Sequence, residues 1–126
     1  MIDHISVGVS TIEAAADFYG PVLGRLGVKE LARMDGLVAY GRDRIEFLAM
    51  QPFDQRDASA GNGTHVAFHA TDEDAVTAFH AAALEAGGQC AGPPGERAYP
   101  HATVFAAYVL DPFGNKLEAL TAGFAA

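Results

Sequence analysis

HISVGVSTIEAAADFYGPVLGRLG, residues 4–27, aligns without a gap on HVAFHATDEDAVTAFHAAALEAGG, residues 65–88. The offset is 61 residues, and both segments change from strand-like to helix-like periodicity at the same point. The residues that coincide include His4 with His65, Phe18 with Phe79, Leu23 with Leu84, and the helix-ending glycines Gly27 with Gly88. A repeat of this length predicts one structural unit used twice.

Each repeat has the pattern of one helix among four strands. In the first, Ile5, Val7 and Val9 alternate with His4 and its neighbours, as in a half-buried strand. Helix caps are predicted at Ser10 or Thr11 and at Thr71 or Asp72, and the second helix is predicted to end near Glu85. Later strands are predicted over 28–34, 37–41 and 44–50 in the first repeat, and from 89–90, 103–110 and 116–121 in the second. We therefore predict an α+β fold of two βαβββ modules, residues 1–52 and 63–122, joined by a polar linker within one domain of 126 residues.

Composition excludes several classes of protein. A formal charge of −8 with only 8 lysines and arginines argues against nucleic-acid binding, which needs clustered cations. No apolar run approaches a membrane span and no signal pattern begins the chain, so we expect neither a membrane nor an exported protein. The lone Cys90 cannot form an intramolecular disulfide, which suits a reducing compartment, and we expect a cytoplasmic protein.

The closing strands suggest a chemical site. Ile45-Glu46-Phe47 resembles Leu117-Glu118-Ala119, with a carboxylate between apolar residues. The second repeat has 11 more residues between its His and its Glu (53 against 42), and we place them in a Pro/Gly-rich loop at 92–95 and in the segment 99–101. Strand alternation predicts that both glutamates face away from the helices, as the two histidines do.

Two imidazoles and two carboxylates on one concave surface favour a divalent metal, because bare buried carboxylates are costly. The predicted ligands are His4, Glu46, His65 and Glu118, a set that suits Zn, Ni, Co, Mn or Fe(II) with open positions for a substrate. A lone strand histidine or glutamate is more often structural. Four such residues in repeat-equivalent positions favour the metal site.

Three stretches resemble the vicinal oxygen chelate superfamily, which includes glyoxalase I, bleomycin resistance proteins and extradiol dioxygenases. They are DHISVGVSTIEAAADFY, GNGTHVAFHATD and LDPFGNKLEAL. The resemblance implies two βαβββ modules forming a half-barrel pair, often completed in a homodimer. It also implies a metal held by four strand residues, which match His4, Glu46, His65 and Glu118.

The resemblance implies a metal-dependent lyase or isomerase acting on a small substrate with vicinal oxygens, through an enediolate or oxyanion. A metal-bound glutamate would be the general base, either Glu118, which we favour, or Glu46. His101 is a candidate proton relay or substrate donor. Gly8 stands where glyoxalase I commonly carries an arginine for glutathione, which argues against that thiol.

Other functions stay open at this point. A metal-free binding protein of the bleomycin-resistance type would use the same concavity for a cationic molecule. An Fe(II) dioxygenase would need only His4, His65 and Glu118, and an antibiotic thiol transferase is a further alternative. His69 shares a strand face with His65, and Tyr40, Tyr99 and Tyr108 are candidate hydroxyl donors to a ligand, although packing is the commoner role of such residues.

Overall fold

The fold consists of two consecutive βαβββ modules, as the repeat predicts. A computed structural model describes residues 1–124. The elements are β1 (Ile5–Gly8), α1 (Ile12–Gly24), β2 (Lys29–Met34), β3 (Leu37–Gly41), β4 (Ile45–Met50), β5 (His65–His69), α2 (Glu73–Glu85), β6 (Gln89–Tyr99), β7 (Ala102–Leu110) and β8 (Lys116–Leu120). Neither helix in this part of the chain is long and apolar enough to cross a membrane.

Side-chain caps begin both helices. The Thr11 hydroxyl accepts a hydrogen bond from the amide of Ala14 at 3.1 Å, and the Asp72 carboxylate accepts one from Ala75 at 2.8 Å. These caps satisfy amides that have no partner within the helix. The glycines that follow with positive φ are Gly27 (72°) and Gly87 (96°). The aligned Gly88 is therefore not the turn residue, because the second connection is one residue shorter.

The strands form two four-stranded sheets with the orders β1-β4-β3-β2 and β5-β8-β7-β6. The first and last strands of each module pair in parallel, and the other neighbours are antiparallel. The helices contact each other and supply the core with large buried side chains such as Phe18, Tyr19 and Phe79. The two modules therefore share one core, and the opposite faces of the sheets are free for a site.

Two similar hydrogen bonds join the modules. A guanidinium nitrogen of Arg42, after β3, donates to the carbonyl of His69 at 2.9 Å. The side-chain Nδ2 of Asn115, before β8, donates to the carbonyl of Gly8 at the same distance. Gly8 and His69 are repeat-equivalent, so each module's last turn reaches the end of the other module's first strand. The repeat is thus expressed in the tertiary structure as an approximate twofold relation.

The prediction of a loop at 92–95 is wrong, because these residues belong to the bulged strand β6. Register shifts occur between Cys90 and Gly92 and between Gly92 and Gly95. Prolines are accepted in β6 because it is the edge of its sheet, where a missing amide leaves no ladder bond unmade. The β6–β7 hairpin (89–110) has 22 residues against 13 in the β2–β3 hairpin (29–41), and the next turn has five against three. The connection after α2 is one residue shorter than that after α1, so these differences of nine and two add ten residues before β8. The eleventh arises because Glu118 is the third residue of β8, whereas Glu46 is the second residue of β4.

Glu46 and Glu118 are predicted to occupy equivalent positions in the two modules, but in the structure their positions differ by two residues. Ile5 pairs with Phe47 in the first sheet, and its counterpart Val66 pairs with Leu117 in the second. The closing strands therefore superpose at an offset of 70, which places Leu48 on Glu118 and Glu46 on Lys116. The shorter turn before β4 is the cause, and strand alternation still keeps all four side chains on equivalent faces.

Candidate functional site

The predicted residues His65 and Glu118 meet on the second sheet. They lie on the paired parallel strands β5 and β8, and His65 Nε2 is 3.2 Å from Glu118 Oε1. The His65 side chain is 43% exposed, whereas that of Glu118 is only 3% exposed. The imidazole therefore stands between the solvent and the buried carboxylate.

The second oxygen of Glu118 is held by a tyrosine. The Tyr99 hydroxyl donates to Glu118 Oε2 and is also hydrogen-bonded to the Tyr108 hydroxyl. Burial, followed by the hydrogen bond to the carboxylate, raises the pKa of Tyr99 above its ordinary value, so this hydroxyl stays protonated as a donor. A buried carboxylate is costly without such partners, and Glu118 has them on both oxygens.

The long β6–β7 hairpin positions both tyrosines beside Glu118. Tyr108 lies directly opposite Glu118 in the β7–β8 ladder, while Tyr99 ends β6 just before the hairpin turn. A Cβ on Gly92 would lie 3.0 Å from Tyr108 Cδ2, so glycine lets β6 lie close against that ring. Both tyrosines are predicted above as donors to a ligand, and their contact with Glu118 is not predicted. The only available signal was the hairpin register, which the bulges obscure.

Lys116 lies beside this cluster. Its Nζ is 5.0 Å from the centre of the Tyr108 ring, and the His65 ring centre is 6.2 Å from the same ring. Lys116 and Glu118 are two residues apart on β8 and share a face. The face therefore presents an imidazole and an ammonium, with the carboxylate buried beneath them.

The predicted ligands of the first module have other partners. His4 Nδ1 is 2.6 Å from Asp3 Oδ1, and Glu46 Oε1 is 3.3 Å from a guanidinium nitrogen of Arg44. Both side chains are about half exposed (50% and 54%). His101, also exposed, lies in the turn between β6 and β7. Within residues 1–124, no three His, Cys, Asp or Glu side chains converge on a metal-sized site.

The donor set of one folded chain therefore does not fit the four-ligand metal site. It brings together one nitrogen and one carboxylate, whereas His4 contacts Asp3 and Glu46 contacts Arg44. The predicted set stays a prediction for an assembly of two copies. A cavity of about 680 Å³ between the linker and the β2–β3 turn is lined by none of the predicted site residues.

Comparisons with known proteins agree with this fold. The sequence profile of the Glyoxalase/Bleomycin resistance protein/Dioxygenase superfamily matches residues 1–119. No curated protein matches the chain significantly.

Among solved structures, a glyoxalase/bleomycin resistance protein from Albidiferax ferrireducens T118 is 34% identical, with a TM-score of 0.90 and coverage of 95% of this chain and 98% of that one. A glyoxalase-related enzyme from Fulvimarina pelagi is 24% identical, with a TM-score of 0.74 and coverage of 97% and 88%. A glyoxalase/bleomycin resistance protein/dioxygenase family enzyme from Burkholderia phytofirmans PsJN is 17% identical, with a TM-score of 0.73 and coverage of 95% and 97%. The last two likenesses show the fold alone. From the profile match and the paired modules together, the chain belongs to the glyoxalase/bleomycin resistance protein/dioxygenase superfamily.

Proposed function

We propose that the chain is an enzyme that moves a proton on a small oxygenated molecule, with His65 as the base and Glu118 as the residue that positions it. The supporting observation is the chain of contacts from a half-exposed imidazole to a buried carboxylate and a tyrosine hydroxyl. From the sequence, Glu118 is the favoured base. We now assign that role to His65, because Glu118 is too enclosed to touch a substrate.

The proposed reaction is an isomerisation next to a carbonyl group. With Nε2–H donating to Glu118, His65 has Nδ1 free as the proton acceptor. His65 takes a proton from the carbon beside the carbonyl, and the electron pair of the broken C–H bond moves onto the carbonyl oxygen as an enediolate. The substrate is a 2-hydroxycarbonyl compound. The isomerisation is completed when the proton returns to the former carbonyl carbon and the hydroxyl proton passes to the enediolate oxygen. Glu118 stabilises the imidazolium formed between the two steps, and Tyr99 keeps the carboxylate in place.

Solvent deuterium exchange tests the proposal. The protein is incubated in D₂O with α-oxoaldehydes and 2-hydroxycarbonyl compounds, with and without several thiols, and exchange at carbon is followed by NMR. We expect His65→Gln to lower the exchange rate by about 10²-fold or more, the usual contribution of a general base. His69→Gln is the matched control, because His69 lies four residues along the same strand and should exchange like the unchanged protein.

Glu118→Gln should slow exchange and also shift its pH profile, because the charge behind His65 is lost. A merely structural carboxylate would alter stability without moving that profile. Full activity in His65→Gln would refute the assignment. Tight binding of these molecules with no exchange would instead support the binding-protein alternative.

A metal-dependent lyase is the second candidate, with a site shared between two copies of the chain. The observation that favours it is that His4 and Glu46 are half exposed, so another copy could approach them. His65 and Glu118 would supply the other two ligands, and the metal would act as a Lewis acid toward the substrate oxygens.

Elemental analysis beside sedimentation tests this candidate. A dimer that loses its metal in both His4→Gln and Glu46→Gln would support four shared ligands, and loss with His4→Gln alone would favour the three-ligand dioxygenase arrangement. A folded dimer without affinity for divalent metals at micromolar concentration would exclude both. A homodimer is itself part of this proposal.

A further inference from the structure

A second depression adjoins His65 and is separate from the buried cluster. It has a volume of about 510 Å³. Its lining consists of the last linker residues, the start of β5 and the turn before β8: Ala60, Gly61, Asn62, Gly63, Thr64, His65, Gly114 and Lys116. His65 and Lys116 therefore both border this depression.

The charge of Lys116 is not neutralised by a neighbour. Within residues 1–124, no carboxylate lies within 4.0 Å of its Nζ. Glu118, the nearest acidic residue along β8, has its two oxygens occupied by His65 and Tyr99. Lys116 lines the depression, and its ammonium lies over the Tyr108 ring without a carboxylate partner, so it is available to an external anion.

The linker adds backbone donors to the same depression. The amide of Thr64 donates to the carbonyl of Gly61 at 3.1 Å and closes a tight turn. Gly63 has a φ of 87°, a backbone conformation that favours glycine, and a Cβ on Gly61 would lie 2.8 Å from Thr64 Oγ1. The amides of Asn62 and Gly63 donate no hydrogen bond within the described residues. Successive free amides beside a cation are a typical anion-binding arrangement.

We propose that this depression binds the anionic group of the substrate, a carboxylate or a phosphate, through Lys116 and the turn at 61–64. Part of the inference rests on the proposed function, because it places the reacting carbon over His65. His65 and Lys116 are direct partners on neighbouring parallel strands, whose backbones lie about 4.8 Å apart. The anionic group and the reacting carbon therefore belong to one small molecule, which fits a short 2-oxo or 2-hydroxy acid or a short phosphate ester.

NMR titration with inorganic phosphate and with pyruvate tests the anion site without any need for catalysis. We expect saturable shifts at residues 61–64 and at Lys116, and weaker binding as salt is added. Lys116→Gln should weaken binding about tenfold, equivalent to about 1.4 kcal/mol, whereas Lys116→Arg should retain it. Lys29→Gln, an exposed lysine of the other module, is the matched control and should change binding less than twofold.

Equal weakening by the two glutamine variants would overturn the inference, as would equal binding of the neutral analogue hydroxyacetone. Stronger binding of pyruvate would select carboxylates, and stronger binding of phosphate would select phosphate esters. Loss of proton exchange with intact anion binding in His65→Gln would support both proposals. Anion binding through Lys116 without exchange for any substrate would refute the proposed function alone, and exchange unaffected by Lys116→Gln would refute the anion site alone.

Discussion

Replacing Tyr19 by phenylalanine removes one hydroxyl from the hydrogen bonds that join the two modules. Tyr19 is buried on α1, and its hydroxyl donates to Asp111 Oδ2 in the turn between β7 and β8. Hydrogen bonds to charged groups contribute about 1.5–3 kcal/mol. Asp111 keeps three donors at 2.8–2.9 Å, from the amides of Phe113 and Asn115 and the side chain of Asn115, so its carboxylate is not left unpaired. We therefore expect Tyr19→Phe to lower the free energy of unfolding by about 2 kcal/mol.

Tyr40→Phe is the matched control, because its hydroxyl is also buried but has no hydrogen-bond partner within the described residues. Removing an unsatisfied hydroxyl should be neutral or should stabilise the fold by up to about 1 kcal/mol. Urea unfolding followed by circular dichroism measures both variants, and an unchanged m-value would confirm that folding stays cooperative. Equal losses of unfolding free energy in Tyr19→Phe and Tyr40→Phe would refute the prediction, because the hydrogen bond of Tyr19 to Asp111 would then contribute nothing to stability.

Three further predictions concern stability. Gly41→Ala should destabilise the fold by about 3 kcal/mol, because its Cβ would lie 1.7 Å from the carbonyl oxygen of Arg44. Gly20→Ala, in helix α1 with open space around it, should stabilise the fold by up to about 1 kcal/mol. Thermal melts in which the melting temperatures of both variants shift in the same direction would contradict this. Burial raises the pKa of Tyr40 from 10.0 to about 12, so between these pH values the unfolded chain releases this proton while the folded chain holds it. The free energy of unfolding should therefore be independent of this group below pH 10 and should fall between pH 10 and 12. Urea unfolding across this range should show a smaller fall in Tyr40→Phe, and an equal fall in both proteins would contradict the prediction. Asp72→Ala should lower stability by about 1 kcal/mol through loss of the α2 cap while Asp72→Asn keeps most of it, and equal losses in chemical unfolding would point to charge instead of capping.

Local patterns predicted most of the secondary structure because they depend on near neighbours in the chain. The caps at Thr11 and Asp72, both helices and the three later strands of the first module follow from periodicity and capping chemistry. The edge strand β6 does not, because its prolines and bulges are acceptable only where no strand pairs on that side. Whether such a segment is a loop or a strand depends on its place in the sheet.

For this protein, the sequence by itself determined the duplicated βαβββ design, the superfamily, and the proximity of His65 and Glu118, because a repeat and alternating strands constrain which residues share a face. Only the tertiary structure decided the register of the closing strands, which makes Leu48 rather than Glu46 the counterpart of Glu118 in the first module. It also decided the contacts of Tyr99 with Glu118 and of Lys116 with the Tyr108 ring. These features depend on turn lengths and bulges far along the chain, and a shift of two residues leaves the alternating pattern unchanged.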